Sequence, residues 1–287
     1  MVYILISNNI TGAKPFVKWL GGKTKLLPQL STLKPESFNA YYEPFVGGGA
    51  VFFSLAPQQA VINDLNPHLI NLYIQVRDNL DELIEQIEKL LSEYIVLDED
   101  MRSVFFYERR KEFNLRTDSD VWGAILFLFL NKTCYNGVYR ENASGFFNVP
   151  FGRRKNTSLH EEESLRIASS VLQNAEIHNS SYEKAVSGAK RGDFVYLDPP
   201  YAPLSSTSKN FTQYIGSDFG NTEHVKLRDI FRELDEKGCY VMMSNSDSAI
   251  VEELYKDYNL RRVNADRTVN CKAKGRGMIT ELVITNY

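Results

Sequence analysis

Hydrophobic and polar positions in the N-terminal part of the chain alternate in a way that predicts strands and helices in turn. Short apolar runs at residues 41–43 and 61–64 are separated by a glycine-rich turn and a helical pattern over 49–55. Asn66 and Pro67 then provide an N-cap and a first helical position. A strand, a glycine turn, a helix and a second strand in this order indicate a βαβ unit with a parallel sheet.

Between residues 78 and 130 the strand signal disappears and a helical spacing replaces it. Apolar residues within 80–91 recur three and four positions apart, and two further helical segments cover about 101–115 and 119–130. Residues 135–150 are rich in Asn, Gly and Tyr and include an Asn-Gly pair, which is a strong hairpin signal. We therefore expect a helical insertion that is followed by a hairpin.

Alternation of strands and helices resumes in the C-terminal part of the chain. Two closing strands joined by a basic loop are expected to form an antiparallel edge on the parallel sheet. The sequence thus predicts an α/β fold, in which residues 1–77 and 175–287 form one domain and residues 78–174 are inserted as another. The predicted C-terminal elements are strands at 194–197, 240–244, 260–263 and 279–285, a helix at 222–237 capped by Asn221, and a helix at 248–258.

Composition and charge restrict the function mainly by exclusion. The 287 residues carry a net charge of −3, so nucleic-acid binding would depend on local basic clusters. Each cluster by itself is typical of a solvated surface. No apolar run approaches the roughly 20 residues that cross a bilayer, and we expect no membrane segment. The basic clusters lie at residues 153–155, 261–262 and 272–276.

Candidate chemistry first appears where the first strand runs into Gly47, Gly48 and Gly49. Glycine permits a tight turn and close approach of a ligand to the main chain. Asp64 ends the next strand, where α/β folds place the acid that binds ribose hydroxyls. Because the G-x-G-x-x-G spacing is missing, a nicotinamide or flavin site is disfavoured and an adenosine-bearing cofactor without pyrophosphate is favoured.

A second candidate site is the sequence Asp198-Pro199-Pro200-Tyr201, directly after an apolar strand. The acid and the rigid carbonyl that precedes the second proline can both accept hydrogen bonds from one amino group. Tyr201 offers a ring on which a planar base can stack. Since the amine of a paired base is inaccessible inside the duplex, such chemistry requires a flipped nucleotide.

Other reaction types lack the residues that they need. The cysteines are odd in number and widely spaced, which indicates neither a disulfide framework nor a zinc site. A cytosine-carbon methylase would use a cysteine nucleophile, normally after proline, and none of the three follows proline. The histidines are dispersed without the spacing of metal ligands. These residues are Cys134, Cys239 and Cys271, and His68, His160, His178 and His224.

Five segments of the chain identify a protein family more specifically by their combined order and spacing than any one of them does alone. They are residues 14–23, 43–49, 63–66, 198–201 and 267–286. Together they resemble the Dam-type DNA adenine-N6 methyltransferases over nearly the whole chain. The resemblance implies a Rossmann-like methyltransferase sheet and S-adenosyl-L-methionine as cofactor. It also implies methylation of adenine in double-stranded DNA, within the sequence GATC.

The same resemblance implies roles for individual positions. Arg140 matches an arginine that reads guanine, and Tyr135 and Asn136 match residues that wedge into the duplex beside the flipped base. A departure occurs at Leu20, where the family has alanine. The implied catalytic residues are Asp198, Pro199 and Tyr201. The implied cofactor-binding residues are Trp19, Lys23, Phe45, Gly47, Gly49, Asp64 and Asp198, and the DNA-binding residues are Lys18, Tyr135, Asn136, Val138, Arg140 and Pro150, with Arg153 and Lys155 beside phosphates.

Three alternatives stay open beside adenine methylation. Cytosine-N4 methylation is chemically close, but that family more often has Ser before Pro-Pro-Tyr. Glutamine and RNA methylases usually have Asn in place of Asp198, and a catalytically silent DNA-binding protein could keep the fold. We expect the protein to act in the cytoplasm, as a bacterial or a phage enzyme. We also expect a monomer, with a cognate restriction endonuclease as a possible partner at the same DNA site. The Ser- and Thr-rich segment 202–220 is expected to order over the site as a lid.

Overall fold

The computed structural model describes residues 12–153, 161–202, 220–266 and 278–287. These residues contain seven strands: β1 (Tyr41–Glu43), β2 (Ala60–Asn63), β3 (Ala175–His178), β4 (Phe194–Leu197), β5 (Tyr240–Ser246), β6 (Asn259–Asp266) and β7 (Met278–Thr285). They form one sheet of order β3-β2-β1-β4-β5-β7-β6. The first five pair in parallel, whereas β7 lies antiparallel between β5 and β6. The predicted α/β class with an antiparallel edge is confirmed.

The helices of the described ranges surround this sheet, and those that the sequence predicts begin within two residues of the expected position. Asn66 caps the third helix, since its side chain accepts from the backbone N–H groups of His68 at 3.0 Å and Leu69 at 2.9 Å. The helices are α1 (Leu27–Ser31), α2 (Ala50–Leu55), α3 (Pro67–Asp78), α4 (Leu80–Ile95), α5 (Glu99–Leu115), α6 (Val121–Thr133), α7 (Glu162–Leu172), α8 (Tyr182–Val186), α9 (Asn221–Glu236) and α10 (Ala249–Leu254).

Several helix boundaries differ from the prediction by a few residues, among them one in α9 and one in α10. Helix α9 begins at Asn221 itself, so Gly220 takes the N-cap position that was assigned to Asn221. Helix α10 stops at Leu254 instead of continuing to Tyr258, because Tyr255 leaves the helical conformation with φ −121° and ψ 20°. In both cases the apolar spacing identified the helix but not its end.

The core is divided by the sheet. Along β4, Phe194 and Tyr196 pack into one apolar cluster, and Val195 and Leu197 pack into the other, as the two-residue period of a strand requires. Helix α6 is apolar on all sides, and its residues from Gly123 to Asn131 are buried among the neighbouring helices. The insertion therefore shares a continuous core with one face of the sheet. The boundaries of two separate domains stay a prediction.

The segment after α6 doubles back on itself, but its turn lies elsewhere than predicted. Cys134 pairs with Phe151 and Glu141 with Phe147 in antiparallel bridges. The reversal occurs at residues 142–145, where the Asn142 side chain accepts from Ser144 N and Phe146 N, both at 3.0 Å. The Asn-Gly pair at 136–137 instead belongs to a short 3₁₀ turn, Tyr135–Gly137, that follows the end of α6. We call residues 134–151 the recognition segment, after the DNA-reading role that the resemblance implies for this part of the chain.

Substitution of Gly152 by alanine is expected to destabilise the base of the recognition segment. Gly152 N donates to Thr133 O at 2.9 Å, and a Cβ atom would lie 2.5 Å from Cys134 O and 2.8 Å from Thr133 O. Because these are backbone atoms of a paired segment, they cannot swing aside. We expect a loss of about 2 kcal/mol in the free energy of unfolding, measured by urea denaturation.

Gly188→Ala is the matched control for Gly152→Ala. A Cβ atom at Gly188 would meet its nearest neighbour, Tyr42 Oη, at an ordinary 3.7 Å. Equal denaturation midpoints for the two variants would contradict the predicted clash.

Candidate active site

The predicted catalytic and cofactor residues come together at one edge of the sheet. Strand β1 lies between β2 and β4, with Glu43 opposite Ile62 and Tyr42 opposite Val195. All three strands run in parallel, so their carboxyl ends meet at the same edge, where ligands of open α/β sheets bind. The glycine turn, Asp64 and Asp198 each follow one of these strands.

The glycine turn after β1 needs glycine for two reasons. Gly47 and Gly49 have φ values of 46° and 71°, in the left-handed region that favours glycine. A Cβ atom at Gly47 would lie 2.5 Å from Cδ1 of Trp19. The indole of Trp19 therefore lies against the turn, and Tyr73 fixes the turn from beneath by donating its hydroxyl to Gly47 O at 2.7 Å.

Asp64 joins the glycine turn to the next turn of the chain. Its Oδ2 accepts from Gly47 N at 3.0 Å and its Oδ1 from Asn66 N at 2.9 Å. Burial raises the pKa of Asp64 to about 6, although these backbone N–H groups oppose the shift. A carboxylate has about four acceptor positions, so these two bonds leave capacity for ligand hydroxyls.

Asp198 forms a nearly buried ion pair with Lys23. Lys23 Nζ lies 2.8 Å from Asp198 Oδ2, and the lysine side chain is only 6% exposed. The ammonium group also donates to Gly21 O at 2.7 Å and lies 4.9 Å from the centre of the Tyr201 ring. Burial raises the pKa of Asp198 to about 6, and the nearby positive charge of Lys23 opposes that rise.

The second carboxylate oxygen of Asp198 and the side-chain nitrogen of Asn245 are the two buried polar side-chain atoms of this site that lack a partner among the described residues. Asp198 Oδ1 is buried and has no hydrogen-bond partner among the residues that the structure describes. Buried acceptors are nearly always paired in folded proteins, so Asp198 Oδ1 has an acceptor position that a donor outside the described residues can fill. Asp198 can thus hold a donor such as an amino group while Lys23 keeps its other oxygen in place.

Glu281 belongs to the same site, although the sequence assigned it no role. Its Oε2 accepts from the hydroxyl of Tyr201 at 2.6 Å, which fixes the ring that follows Asp198. Glu281 lies on β7, opposite Ser246 of β5. The signal for it was an acid within an otherwise apolar strand, and such a position is acceptable only with a partner.

Glu43 and Asn245 complete the inner part of this edge. Glu43 is 2% exposed and accepts from Tyr41 Oη at 2.7 Å, and burial raises its pKa to about 8. Asn245 Oδ1 accepts from Ala202 N at 3.1 Å and from Ser246 N at 2.8 Å, which holds the loop after Asp198 down on β5. Glu43 can be recognised in the sequence as an acid at the end of a strand, whereas no local sequence feature indicates a role for Asn245.

The recognition segment presents its predicted DNA-contacting residues on the surface. Tyr135 is 58% exposed, and Asn136 is exposed with a left-handed φ of 57°. Arg140 is exposed as well, and its Nε donates to Asn148 Oδ1 at 2.7 Å. Pro150 is exposed and accepts from Tyr135 N at 2.9 Å.

The remaining predicted residues divide between the site and the core. Lys18 packs against the recognition segment, because a Cβ atom at Gly137 would lie 2.4 Å from its Cδ. Val138 is half-buried, and its carbonyl lies 3.5 Å from Cys134 Sγ. Phe45 stacks on Tyr182, with ring centres 5.1 Å apart and an interplanar angle of 29°. Phe45 thus supports the glycine turn from the side of the second apolar cluster.

Several predicted features lie outside the described residues. They are the basic positions Arg154, Lys155, Arg267, Lys272, Lys274 and Arg276, together with residues 203–219 of the expected lid.

No helix within the described ranges is long and apolar enough to cross a membrane.

The chain matches known proteins over most of its length. Residues 19–269 match the family described as D12 class N6 adenine-specific DNA methyltransferase. Type II methyltransferase M1.LlaDCHI of Lactococcus lactis subsp. cremoris is 45% identical over 99% of both chains. Type II methyltransferase M.MjaIII of Methanocaldococcus jannaschii is 42% identical over 96% of this chain and 99% of that protein. DNA adenine methylase of Haemophilus influenzae is 34% identical over 94% and 92%.

Proposed function

The chain belongs to the family of D12 class N6 adenine-specific DNA methyltransferases, and on that premise we propose that S-adenosyl-L-methionine is its methyl donor and GATC its target. The observation that carries the proposed chemistry is the buried Oδ1 of Asp198, which lacks a partner among the described residues. It offers an acceptor for an amino group at the edge of the sheet where the glycine turn and Asp64 also lie.

The residues at this edge fit the proposed cofactor. The glycine turn brings bare main chain against the indole of Trp19, and Asp64 retains acceptor positions for ribose hydroxyls. The residues that would hold the cofactor are Trp19, Lys23, Phe45, Gly47, Gly49, Asp64 and Asp198. When bound, S-adenosyl-L-methionine supplies a methyl group that its sulfonium makes electrophilic.

The chain itself would orient the acceptor amine. Asp198 and the carbonyl of Pro199 accept hydrogen bonds from the two N6 protons, which directs the nitrogen lone pair away from them. Tyr201 stacks on the flipped adenine, and Glu281 holds that ring through its hydroxyl. Orientation of two reactants in one site accounts for much of the acceleration in reactions of this kind.

The proposed readout of GATC rests on the recognition segment. Arg140 would bind guanine O6 and N7 with its guanidinium, which is the commonest specific contact in the major groove. Tyr135 and Asn136 would fill the space beside the flipped base, with Lys18, Val138 and Pro150 along the same surface. Residues 78–174 would then form the target-recognition domain, and residues 1–77 with 175–287 the catalytic domain.

Partners and setting are further parts of the proposal. Two relatives are named as Type II methyltransferases, which favours a cognate restriction endonuclease that acts on the same DNA site. We propose a monomer that acts in the cytoplasm of a bacterium or as a phage enzyme.

The proposal is tested by incubating the purified protein with S-adenosyl-L-methionine and unmethylated duplex DNA. The DNA is digested to nucleosides for mass spectrometry and sequenced in parallel by a modification-sensitive method. We expect N6-methyladenine confined to GATC. N6-methyladenine at other sequences would contradict the assigned target, and N4-methylcytosine or no methylated nucleoside would contradict the chemistry.

The methylation rate is expected to fall as the pH drops through the pKa of Asp198, which is about 6. The protonated acid is a poorer acceptor, so the rate should fall about tenfold per pH unit below that value and level off above it. Since Lys23 lowers this pKa, Lys23→Met should move the acid limb to higher pH. Single-turnover rates between about pH 5 and 8 measure the limb. If the acid limb of the pH–rate profile stays at the same pH in Lys23→Met, the titrating group is not Asp198 but another acid, such as Asp64.

A further inference from the structure

One buried side chain joins two distant segments of this molecule. Asn131 lies in the last turn of α6 and is 2% exposed. Its Oδ1 accepts from Lys18 N at 2.9 Å, and its Nδ2 donates to Lys18 O at 2.8 Å. The same Nδ2 lies 3.4 Å from Gly137 O, which it also reaches as a donor. A single carboxamide thus satisfies three backbone groups from two segments.

The first of these segments carries the cofactor side of the site. Lys18 directly precedes Trp19, whose indole lies against Gly47, and five positions later comes Lys23, which pairs with Asp198. The position of the Lys18 backbone therefore sets where the indole and the ammonium group enter the site.

The second segment carries the DNA side. Gly137 lies between Asn136, which is exposed, and Val138, which is half-buried. Its missing side chain leaves the space that Lys18 Cδ occupies. Gly137 is buried, whereas its neighbours Tyr135 and Asn136 are exposed. A shift of the Gly137 carbonyl would move these surface residues directly.

Helix α6 makes Asn131 a rigid support for both segments. The helix is buried on all sides, and Thr133 Oγ1 donates to Phe129 O at 2.6 Å within its last turn. Trp19 adds a second contact between the segments, because it stacks on Tyr139 at 6.0 Å with an interplanar angle of 23°. Side chains locked by packing and hydrogen bonds are the kind that hold functional groups in place.

We infer that Asn131 is a positioning residue that couples cofactor binding to DNA binding, by holding the Lys18 backbone and the start of the recognition segment as one unit. This inference rests on the proposed function, because it takes Trp19 and Lys23 as cofactor contacts and Tyr135 and Asn136 as DNA contacts. Coupling of two sites is reciprocal, so each ligand raises the affinity for the other by the same factor.

The test measures the affinity for S-adenosylhomocysteine by calorimetry, with and without a saturating GATC duplex. In the wild-type protein we expect the duplex to raise this affinity by about tenfold, within the usual range of coupling between sites. In Asn131→Ala the factor should fall to about one. Asn131→Leu removes the donors and the acceptor at a similar side-chain volume and without a buried charge, and it should lose the coupling too if Asn131→Ala does not fold.

Asn71→Ala is the matched control. Asn71 is also a buried asparagine, 7% exposed, and its Nδ2 donates to Asp120 O at 2.9 Å, at the opposite end of α6. This variant should keep the wild-type factor despite a similar loss of stability. An unchanged factor in both Asn131 variants, a factor of one in the wild type, or an equal loss in Asn71→Ala would overturn the inference. Failure of the proposed function is distinct, because it shows as an absence of N6-methyladenine with the wild-type protein.

Discussion

Asp198→Ala is expected to reduce methyl transfer by about 10³-fold or more while the protein still binds duplex DNA. The substitution removes the buried oxygen that lacks a partner among the described residues, and with it the proposed acceptor for the target amine. Apart from the bond to the target amine itself, the DNA contacts that we propose lie on the recognition segment and at Lys18. Catalysis and DNA binding should therefore separate in this variant.

The ion pair with Lys23 adds a second consequence. Asp198→Ala leaves the ammonium group of Lys23, whose side chain is only 6% exposed, without its carboxylate partner. Removal of one partner from a buried pair typically costs about 3 kcal/mol or more. The double variant Asp198→Ala/Lys23→Met should regain much of that stability, because it no longer has an unpaired ammonium group, but it should not regain activity. A variant that is stable and inactive rules out unfolding as the cause of lost turnover.

Three measurements check this prediction together. Single-turnover rates report methyl transfer, duplex binding at a fixed salt concentration reports the DNA surface, and denaturation midpoints report stability. Asp198→Asn is the conservative comparison, since it keeps one oxygen acceptor and the shape of the side chain. Full turnover in Asp198→Ala would contradict the assigned role of the acid.

The edge of the sheet could be predicted because its features are local in sequence. An apolar strand that ends at Asp64 or Asp198 and a cap at Asn66 each depend on a few neighbouring residues. The glycine turn is similar, since the positive φ of Gly47 and Gly49 arises within one turn of chain. In a parallel sheet the carboxyl ends of the strands lie at the same edge, so the approximate site followed from the predicted parallel βαβ arrangement.

The contacts that complete the site could not be predicted, because they join residues far apart in the chain. Tyr201 and Glu281 meet across 80 positions, and Lys18 and Asn131 across 113. No spacing rule relates such pairs, and each forms only after the sheet and α6 are in place. An acid in an apolar strand can be recognised from the sequence, but its partner cannot.

The misplaced turn of the recognition segment has a similar physical reason. An Asn-Gly pair favours a two-residue hairpin only if the flanking residues can pair as strands. Here Tyr135 follows α6 directly, and the pairing of Cys134 with Phe151 places the reversal farther along the chain. The side chain of Asn142 then supplies the turn through its bonds to Ser144 N and Phe146 N.

Arg140→Ala is expected to relax sequence discrimination at a single G·C pair of the target. The structure supports a defined orientation for this arginine, because Arg140 Nε donates to Asn148 Oδ1 at 2.7 Å while Asn148 N donates to Arg140 O at 3.0 Å. A bidentate arginine contact to guanine contributes about 1–3 kcal/mol of discrimination, which is roughly a factor of 5 to 150 in kcat/KM between correct and altered sites. Arg140→Lys should not restore it, since a lysine lacks the planar fork.

The measurement compares kcat/KM on duplexes that differ from GATC at one base pair at a time, at constant salt. Arg140→Ala should equalise the rates at one pair and leave the ranking at the others intact. Asn148→Ala, which removes the brace from the arginine, should give a smaller loss at the same pair. Arg153→Ala is the control, because Arg153 is exposed and we propose that it lies beside phosphates, so its loss should slow the reaction on all duplexes alike. An unchanged profile in Arg140→Ala, or an equal loss on every duplex, would remove Arg140 from the readout and leave it as a phosphate contact or a surface residue.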